Sequence, residues 1–333
     1  MTEVIALSLN AVSRIIEPGS VSQMVAIKPT KYIWANGKLV DWNDAKVHVL
    51  THGLHYGTGI FEGIRCYETK LGPAVFRLKD HLDRLEASAK ILNMKLPYTE
   101  SELARAIKEV ISQNDLKSCY IRPIAFFGVS GIGVNPVGYP VDVFIAAFDF
   151  GAYLGEEGLK NGIRVATSSW RRISPASLAT LGKICGHYVN SALAITEAKA
   201  GGYDEAILLN EDNFVAEGSG ENIFIVKDDV IKTPPISAGI LPGITRDTVI
   251  TLARNEEFVV QETNITRSEL YVADEVFMTG TAAEITPIKE IDQRPVGTGR
   301  PGPVTKRLQA KFWKVVRGED ERYHKWLDFV EER

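Results

Sequence analysis

Between Glu205 and Lys232 the chain reverses direction every few residues. Four short runs rich in β-branched and apolar residues, 205–209, 214–217, 222–227 and 230–232, are separated by turn residues such as Asn210 to Asn213 and Asp228-Asp229. Runs of this length bounded by such turns predict an antiparallel meander. Upstream, Asn36-Gly37 lies between the apolar runs of 31–40, the strongest short-range hairpin signal. Further strands are predicted at 63–68, 74–77, 119–128, 142–148, 162–168 and 275–278. Helical periodicity predicts helices at 79–92 and 101–113, the latter capped by Ser101 with Leu103, Ile107 and Ile111 on one face. Helices are also predicted at 188–200, ended by Gly201-Gly202, from Gly243 through Arg254, and at 302–316. Strands and helices mix without a regular βαβ rhythm, which points to an α+β protein of two domains.

The 333 residues are enough for two such domains, each with its own core. The expected division is an N-terminal extension at 1–24, a small domain at 25–148, a linker at 149–155 and a larger domain at 156–333. Lys and Arg total 38 against 42 Asp and Glu, so a net charge of -4 gives no general pull toward nucleic acid or anionic membrane. The stretch from Pro123 to Val141 is uncharged, but its four Gly and three Pro would break a membrane helix. At the N-terminus Glu3 precedes any basic residue, unlike a secretory signal. Three scattered cysteines, Cys66, Cys119 and Cys185, fit a reducing, cytoplasmic setting rather than a disulfide scaffold.

Gly131-Ile-Gly133 begins like a dinucleotide loop but runs into Pro136 and lacks the third glycine. His48, His52 and His55 match no metal-ligand spacing and read as structural histidines, so no metal is expected. Four other segments each join a small-residue turn to a reactive or polar group at an element boundary. They are Leu181-Gly-Lys183-Ile-Cys-Gly-His-Tyr188, Glu217-Gly-Ser-Gly-Glu-Asn222, Leu241-Pro-Gly-Ile-Thr-Arg246 and Thr279-Gly-Thr-Ala-Ala-Glu284.

In this order the four segments resemble class IV pyridoxal-phosphate aminotransferases, most closely the branched-chain amino acid aminotransferases. The resemblance spans residues 30–330 and includes Val47-His-Val-Leu-Thr-His-Gly-Leu-His-Tyr-Gly-Thr-Gly-Ile-Phe-Glu-Gly-Ile-Arg65 and Tyr120-Ile-Arg-Pro123. It implies a fold type IV enzyme, with a smaller N-terminal α/β domain and a larger C-terminal domain built on a β-barrel-like core. The implied cofactor is pyridoxal 5′-phosphate (PLP). Such chemistry needs an amine that forms a Schiff base and then moves a proton, a role the resemblance gives to Lys183. It gives Glu217 the carboxylate beside the ring nitrogen and Tyr188 the phenol at the 3′-oxygen. Phosphate contacts fall to Ile244 and Thr245 at a helix start, to Thr281, and to Arg84.

For the substrate, the resemblance implies that the Thr281-Ala282-Ala283 turn and Tyr120 receive the α-carboxylate, while Arg122 answers the γ-carboxylate of glutamate. Phe61, Phe150 and Tyr153 would line the side-chain pocket together with Gly63 and Arg65, and Tyr56 and Val134 would reach in from a second subunit. Phe150 stands where a tryptophan is common in the family; it is smaller and lacks the indole donor. Tyr-x-Arg at 120–122 favours a branched-chain enzyme over a D-amino acid one. The implied reaction takes leucine, isoleucine or valine with 2-oxoglutarate to branched 2-oxo acids and glutamate, in a ping-pong cycle. A D-amino acid or (R)-amine aminotransferase, or an aminodeoxychorismate lyase, is the alternative on the same fold. Expected partners are small-molecule amino acids and 2-oxo acids, and a homodimer or higher homo-oligomer with shared active sites.

Overall fold

The computed structural model describes residues 27–151 and 153–331, so the expected extension at 1–24 lies outside the described residues. Two sheets organise the described residues. The first has eight strands, in the order 327–329, 72–76, 64–69, 119–127, 141–148, 32–35 and 38–41, with 59–61 also paired to 119–127. At one edge the Asn36-Gly37 hairpin forms as expected, both residues in left-handed conformations (φ 48° and 94°) that suit its tight turn. Helices Leu78–Ile91 and Glu100–Gln113 cover one face. Leu82, Leu85, Ile107 and Ile111 bury there against Ile64, Ile121 and Ile145. Each such side chain contributes about 1.5–3 kcal/mol.

The cap of the second helix differs from the expectation. Thr99, not Ser101, accepts from the Glu102 N–H, and Glu102 reaches back to the Thr99 N–H. This reciprocal box satisfies two free donors, which Ser101, already inside the first turn, could not do.

The second sheet has nine strands. Its path runs 215–218, 205–209, 163–171, 284–291, 275–280, 222–227, 230–233 and 259–262, with 294–295 beside 284–291. The predicted short strands all form, but they do not make the expected meander. Strands 205–209 and 215–218 pair as one hairpin and 222–227 and 230–233 as another, yet 222–227 takes 275–280 as its other neighbour. Between the two hairpins lies the tight Gly218–Glu221 turn, closed by the Gly218 N–H on the Glu221 carbonyl at 2.7 Å. Ser219, Gly220 and Glu221 of this turn line the cavity described below. The segment expected as a linker leads into a helix, Gly155–Asn161, that periodicity does not reveal.

Helices Ile244–Asn255 and Pro303–Val316 pack on the second sheet through Val249, Leu252, Leu308 and Phe312. Tyr67 and Phe76 from the first sheet join the same core. Strand 327–329 likewise pairs with 72–76, so the first sheet draws on both sides of the expected division at 149–155. Among the described residues no helix is long and apolar enough to cross a membrane. The cleft between the two sheets is where the four sequence segments meet.

Candidate active site

Lys183 is fixed by its backbone. Its N–H donates to Ser88 Oγ (2.9 Å) on helix 78–91, and its carbonyl accepts from the Phe61 N–H (3.1 Å). Three residues on, the Gly186 N–H donates to the Gly57 carbonyl at 3.0 Å. Gly57 is left-handed (φ 66°), and a side chain there would meet the Gly186 backbone at 2.7 Å, so this position requires glycine. These ties leave the lysine side chain free to enter the cleft. Its Nζ donates to the Tyr188 hydroxyl at 2.6 Å and lies 4.9 Å from the Phe61 ring centre.

Glu217, at the inward Gly218–Glu221 turn, is buried and held at three points. Arg172 Nε lies 2.8 Å from its Oε1, while the Leu241 N–H and the Asn222 amide donate to Oε2 at 3.0 and 3.1 Å. Burial raises this carboxyl, and Arg172 is the largest of the influences that oppose it. Helix 244–255 starts beside Asn222, with Gly243 as its N-cap and no side chain capping the first turn. Its first N–H groups, the positive end of the helix dipole, therefore face the cleft uncapped. Gly243 must be glycine, since a Cβ would run into the Asn222 side chain. Arg246, from the same sequence segment, turns away and binds Thr233, the Pro234 carbonyl and Glu262.

Arg84 reaches the same cleft from helix 78–91, clamped by Glu62 through Nε (2.7 Å) and Nη2 (2.9 Å) and by the Pro242 carbonyl through Nη1. His81 Nδ1 lies 2.7 Å from Glu62 Oε2. Burial would raise the Glu62 carboxyl, but Arg84 and His81 outweigh it and hold Glu62 far below the ordinary carboxylate range. Burial lowers the His81 imidazole despite Glu62. Both shifts have the same consequence on acidification. Glu62 contributes stability that is in place above its unfolded value of 4.5 and is lost as pH falls toward the depressed folded value. His81, favoured neutral in the fold, loses its share as pH falls below its unfolded value of 6.5. Removing Glu62 leaves Arg84 buried without its anion, at a cost of about 3–5 kcal/mol. We therefore expect Glu62→Gln to melt well below wild type at neutral pH and the gap to narrow as pH falls below 4.5. Melting curves recorded from pH 7 to acid test this; a gap that stays constant would contradict it.

Of the expected cofactor residues, Lys183, Arg84, Tyr188, Glu217, Ile244, Thr245 and Thr281 all line one cavity. Gly63, Tyr120 and Ala282 from the expected substrate set line it too. Gly63 has no room for a side chain because the Tyr120 hydroxyl lies against it. Most of the remainder pack on one another around Tyr120 and Tyr188 of this cavity. Phe61 is edge-on to Tyr188 (4.7 Å) beneath the Arg122 guanidinium (4.8 Å), which also donates to the Tyr120 hydroxyl. Phe150 packs 4.9 Å from Tyr120 and stacks on Tyr153. Arg65 lies over Phe150 and is ion-paired to Glu284, and Ala283 is buried in the turn before it. Tyr56 and Val134 stand exposed, apart from the cavity of their own chain.

Glu62 lies inside the 47–65 segment without an assigned role, and nothing local in the chain assigns one to His81 or Arg172. Asn222 ends one of the four segments without an assigned role. The three clustered histidines each hydrogen-bond to backbone, with His52 buried and His48 and His55 exposed. His48 and His55 hold local backbone, and His52 Nε2 donates to the Gly133 and Val134 carbonyls.

The donor set fits a phosphorylated pyridine. Uncapped N–H groups, Arg84 and the Thr281 hydroxyl line the cavity together with the Glu217 carboxyl and the Lys183 amine. Thr279 Oγ1, also lining the cavity, is buried without a partner, as expected of a group whose partner is a ligand.

The Amino-transferase class IV family model matches residues 59–291, and the chain belongs to this family. It is 51% identical to the branched-chain-amino-acid aminotransferase of Escherichia coli K12 over 304 residues, covering 91% of this chain and 98% of that one. The crystal structure of the Escherichia coli branched-chain amino acid aminotransferase superposes with a TM-score of 0.89 at 51% identity, covering 91% of this chain and all of that one. The branched-chain amino acid aminotransferase of Thermobaculum terrenum, in its PLP-containing holo form, gives 0.85 at 38% identity, covering 91% of this chain and 99% of that one. The fold type IV expectation holds. The D-amino acid, (R)-amine and lyase alternatives are not favoured.

Proposed function

We propose that this chain uses pyridoxal 5′-phosphate to transfer the amino group of leucine, isoleucine or valine to 2-oxoglutarate, yielding a branched 2-oxo acid and L-glutamate. The observation that carries this is the convergence of Lys183, Tyr188, Glu217, Arg84 and an uncapped helix start on one cavity. The relatives' substrate supports the choice of amino acid. Bound cofactor supplies an electron-withdrawing ring and a carbon that accepts the amino group. Lys183 Nζ takes the proton from Cα of the donor and returns one to the product in the reverse half-reaction. Tyr188, already hydrogen-bonded to Nζ, sets where that amine sits. Glu217, ion-paired to Arg172, would hold a proton on the ring nitrogen. Ile244, Thr245, Thr281 and Arg84 hold the phosphate.

The Thr281-Ala282-Ala283 turn and Tyr120 receive the α-carboxylate, and Arg122 meets the γ-carboxylate of glutamate. Phe61, Phe150, Tyr153, Gly63 and Arg65 shape the space for an aliphatic side chain. A homodimer with shared sites, in the cytoplasm, completes the reading. Supporting it, exposed Val49, Leu54 and Tyr56 are tied through His52 to the loop bearing exposed Ile132 and Val134. An apolar surface of that kind suits burial against a second copy that takes Tyr56 and Val134 into its site.

The test is an absorbance spectrum of the purified holoenzyme. A visible band should bleach with L-leucine and return with 2-oxoglutarate. A band answering only D-alanine or an (R)-amine would overturn the substrate, and no band after adding PLP would overturn the enzyme.

A further inference from the structure

Strands 275–280 and 284–291 form a hairpin in which Gly280 pairs with Glu284, leaving the three-residue loop Thr281–Ala283. Loops of this length commonly close on a residue in the left-handed region, where glycine costs least. Here that place is taken by Glu284, at φ 54°. A side chain in this conformation costs about 1–2 kcal/mol. The carboxylate is also buried, only 3% exposed. Glycine would make the same turn without backbone strain and without burying a charge. What glutamate adds is visible in its partners. Its Oε1 accepts from Arg65 Nη1 at 2.8 Å and from the Tyr67 hydroxyl at 3.0 Å, both on strand 64–69 of the other sheet. Arg65 is anchored in turn to the Gly151 carbonyl at 2.8 Å and pairs in register with Tyr120. Buried ion pairs contribute little net stability compared with apolar packing, so their use is in fixing position.

We propose that Glu284 is a positioning residue for substrate binding: it ties the Thr281–Ala283 turn of one sheet to the Arg65–Tyr120 strand pair of the other. This rests on the reading that the turn and Tyr120 share the substrate's α-carboxylate. Glu284 touches no reacting atom, and the loss of its tie loosens a carboxylate site assembled from two separate sheets.

The experiment compares Glu284→Gly, Glu284→Gln and Tyr67→Phe holoenzymes with wild type, by steady-state kinetics with L-leucine and L-glutamate, cofactor absorbance and melting. For Glu284→Gly we expect KM for both amino acids to rise about tenfold or more, with kcat at saturation within about threefold and the cofactor band unchanged. Glu284→Gln, which keeps an acceptor for Tyr67, and Tyr67→Phe should each raise KM less. Unchanged KM in Glu284→Gly overturns the proposal, as does a loss confined to kcat or to cofactor retention. If Glu284→Gly does not fold, unchanged KM in both milder variants overturns it equally. A wild-type holoenzyme that transaminates neither amino acid would instead overturn the proposed function.

Discussion

Replacing Lys183 by alanine is expected to reduce turnover by at least about a thousandfold while leaving the fold in place. The two expectations separate because of how the residue is built in. The hydrogen bonds to Ser88 and Phe61 are made by its backbone, which alanine keeps. The side chain itself meets the Tyr188 hydroxyl and the faces of Phe61 and Tyr188. Losing it removes the amine and the proton carrier together, with no buried anion left unpaired. Single-turnover kinetics with L-leucine, beside a melting curve, check both halves. Wild-type rates in the variant would move the catalytic role elsewhere.

The second large effect is expected at Glu217. Glutamine keeps the size and can still accept from the Leu241 N–H and the Asn222 amide, but it removes the charge. Under the proposed function the ring nitrogen would then lose the anion that keeps it protonated, and kcat should fall about a hundredfold or more. Arg172, itself buried, loses its counter-charge, so a stability loss of several kcal/mol accompanies the kinetic one. Glu217→Asp, which keeps the charge but retreats by one methylene, should recover part of the stability and less of the rate. The kinetic loss should appear in kcat at saturating cofactor. If adding PLP restored the rate of Glu217→Gln, the carboxylate would serve affinity alone.

The contrast between these residues shows what could be read from the chain. Lys183, Glu217 and Thr245 sit in short glycine-bearing segments whose local chemistry marks a turn or a helix start, and resemblance could assign them. Glu62, His81 and Arg172 are as deeply involved, yet local chemistry gives them no role: His81 lies inside helix 78–91, and Glu62 and Arg172 lie just past the ends of strands 59–61 and 163–171. Their meaning arises only where helix 78–91 meets strand 59–61, and where strand 163–171 passes the Gly218–Glu221 turn. Glu284 lies between the two cases. Its segment is visible, but its importance depends on the left-handed backbone and on Arg65, 219 positions away.

The same division runs through the fold. Hairpin turns, caps and helical periodicity act over a few residues, so the elements themselves are written locally. Asn36-Gly37, the helix begun at Gly243 and the end of helix 188–200 at Gly201 all follow from such short-range chemistry. Strand partners do not. The run 205–233 reads as a meander, yet the same turn residues serve two hairpins that do not pair with each other. Packing selects the second: strand 222–227 takes 275–280 as its neighbour, which sets Phe224 opposite Phe277 with their rings stacked at 5.0 Å, while Glu217 lines the cleft. Contacts between residues far apart in the chain are set by which apolar faces bury together, and no short stretch of sequence carries that information.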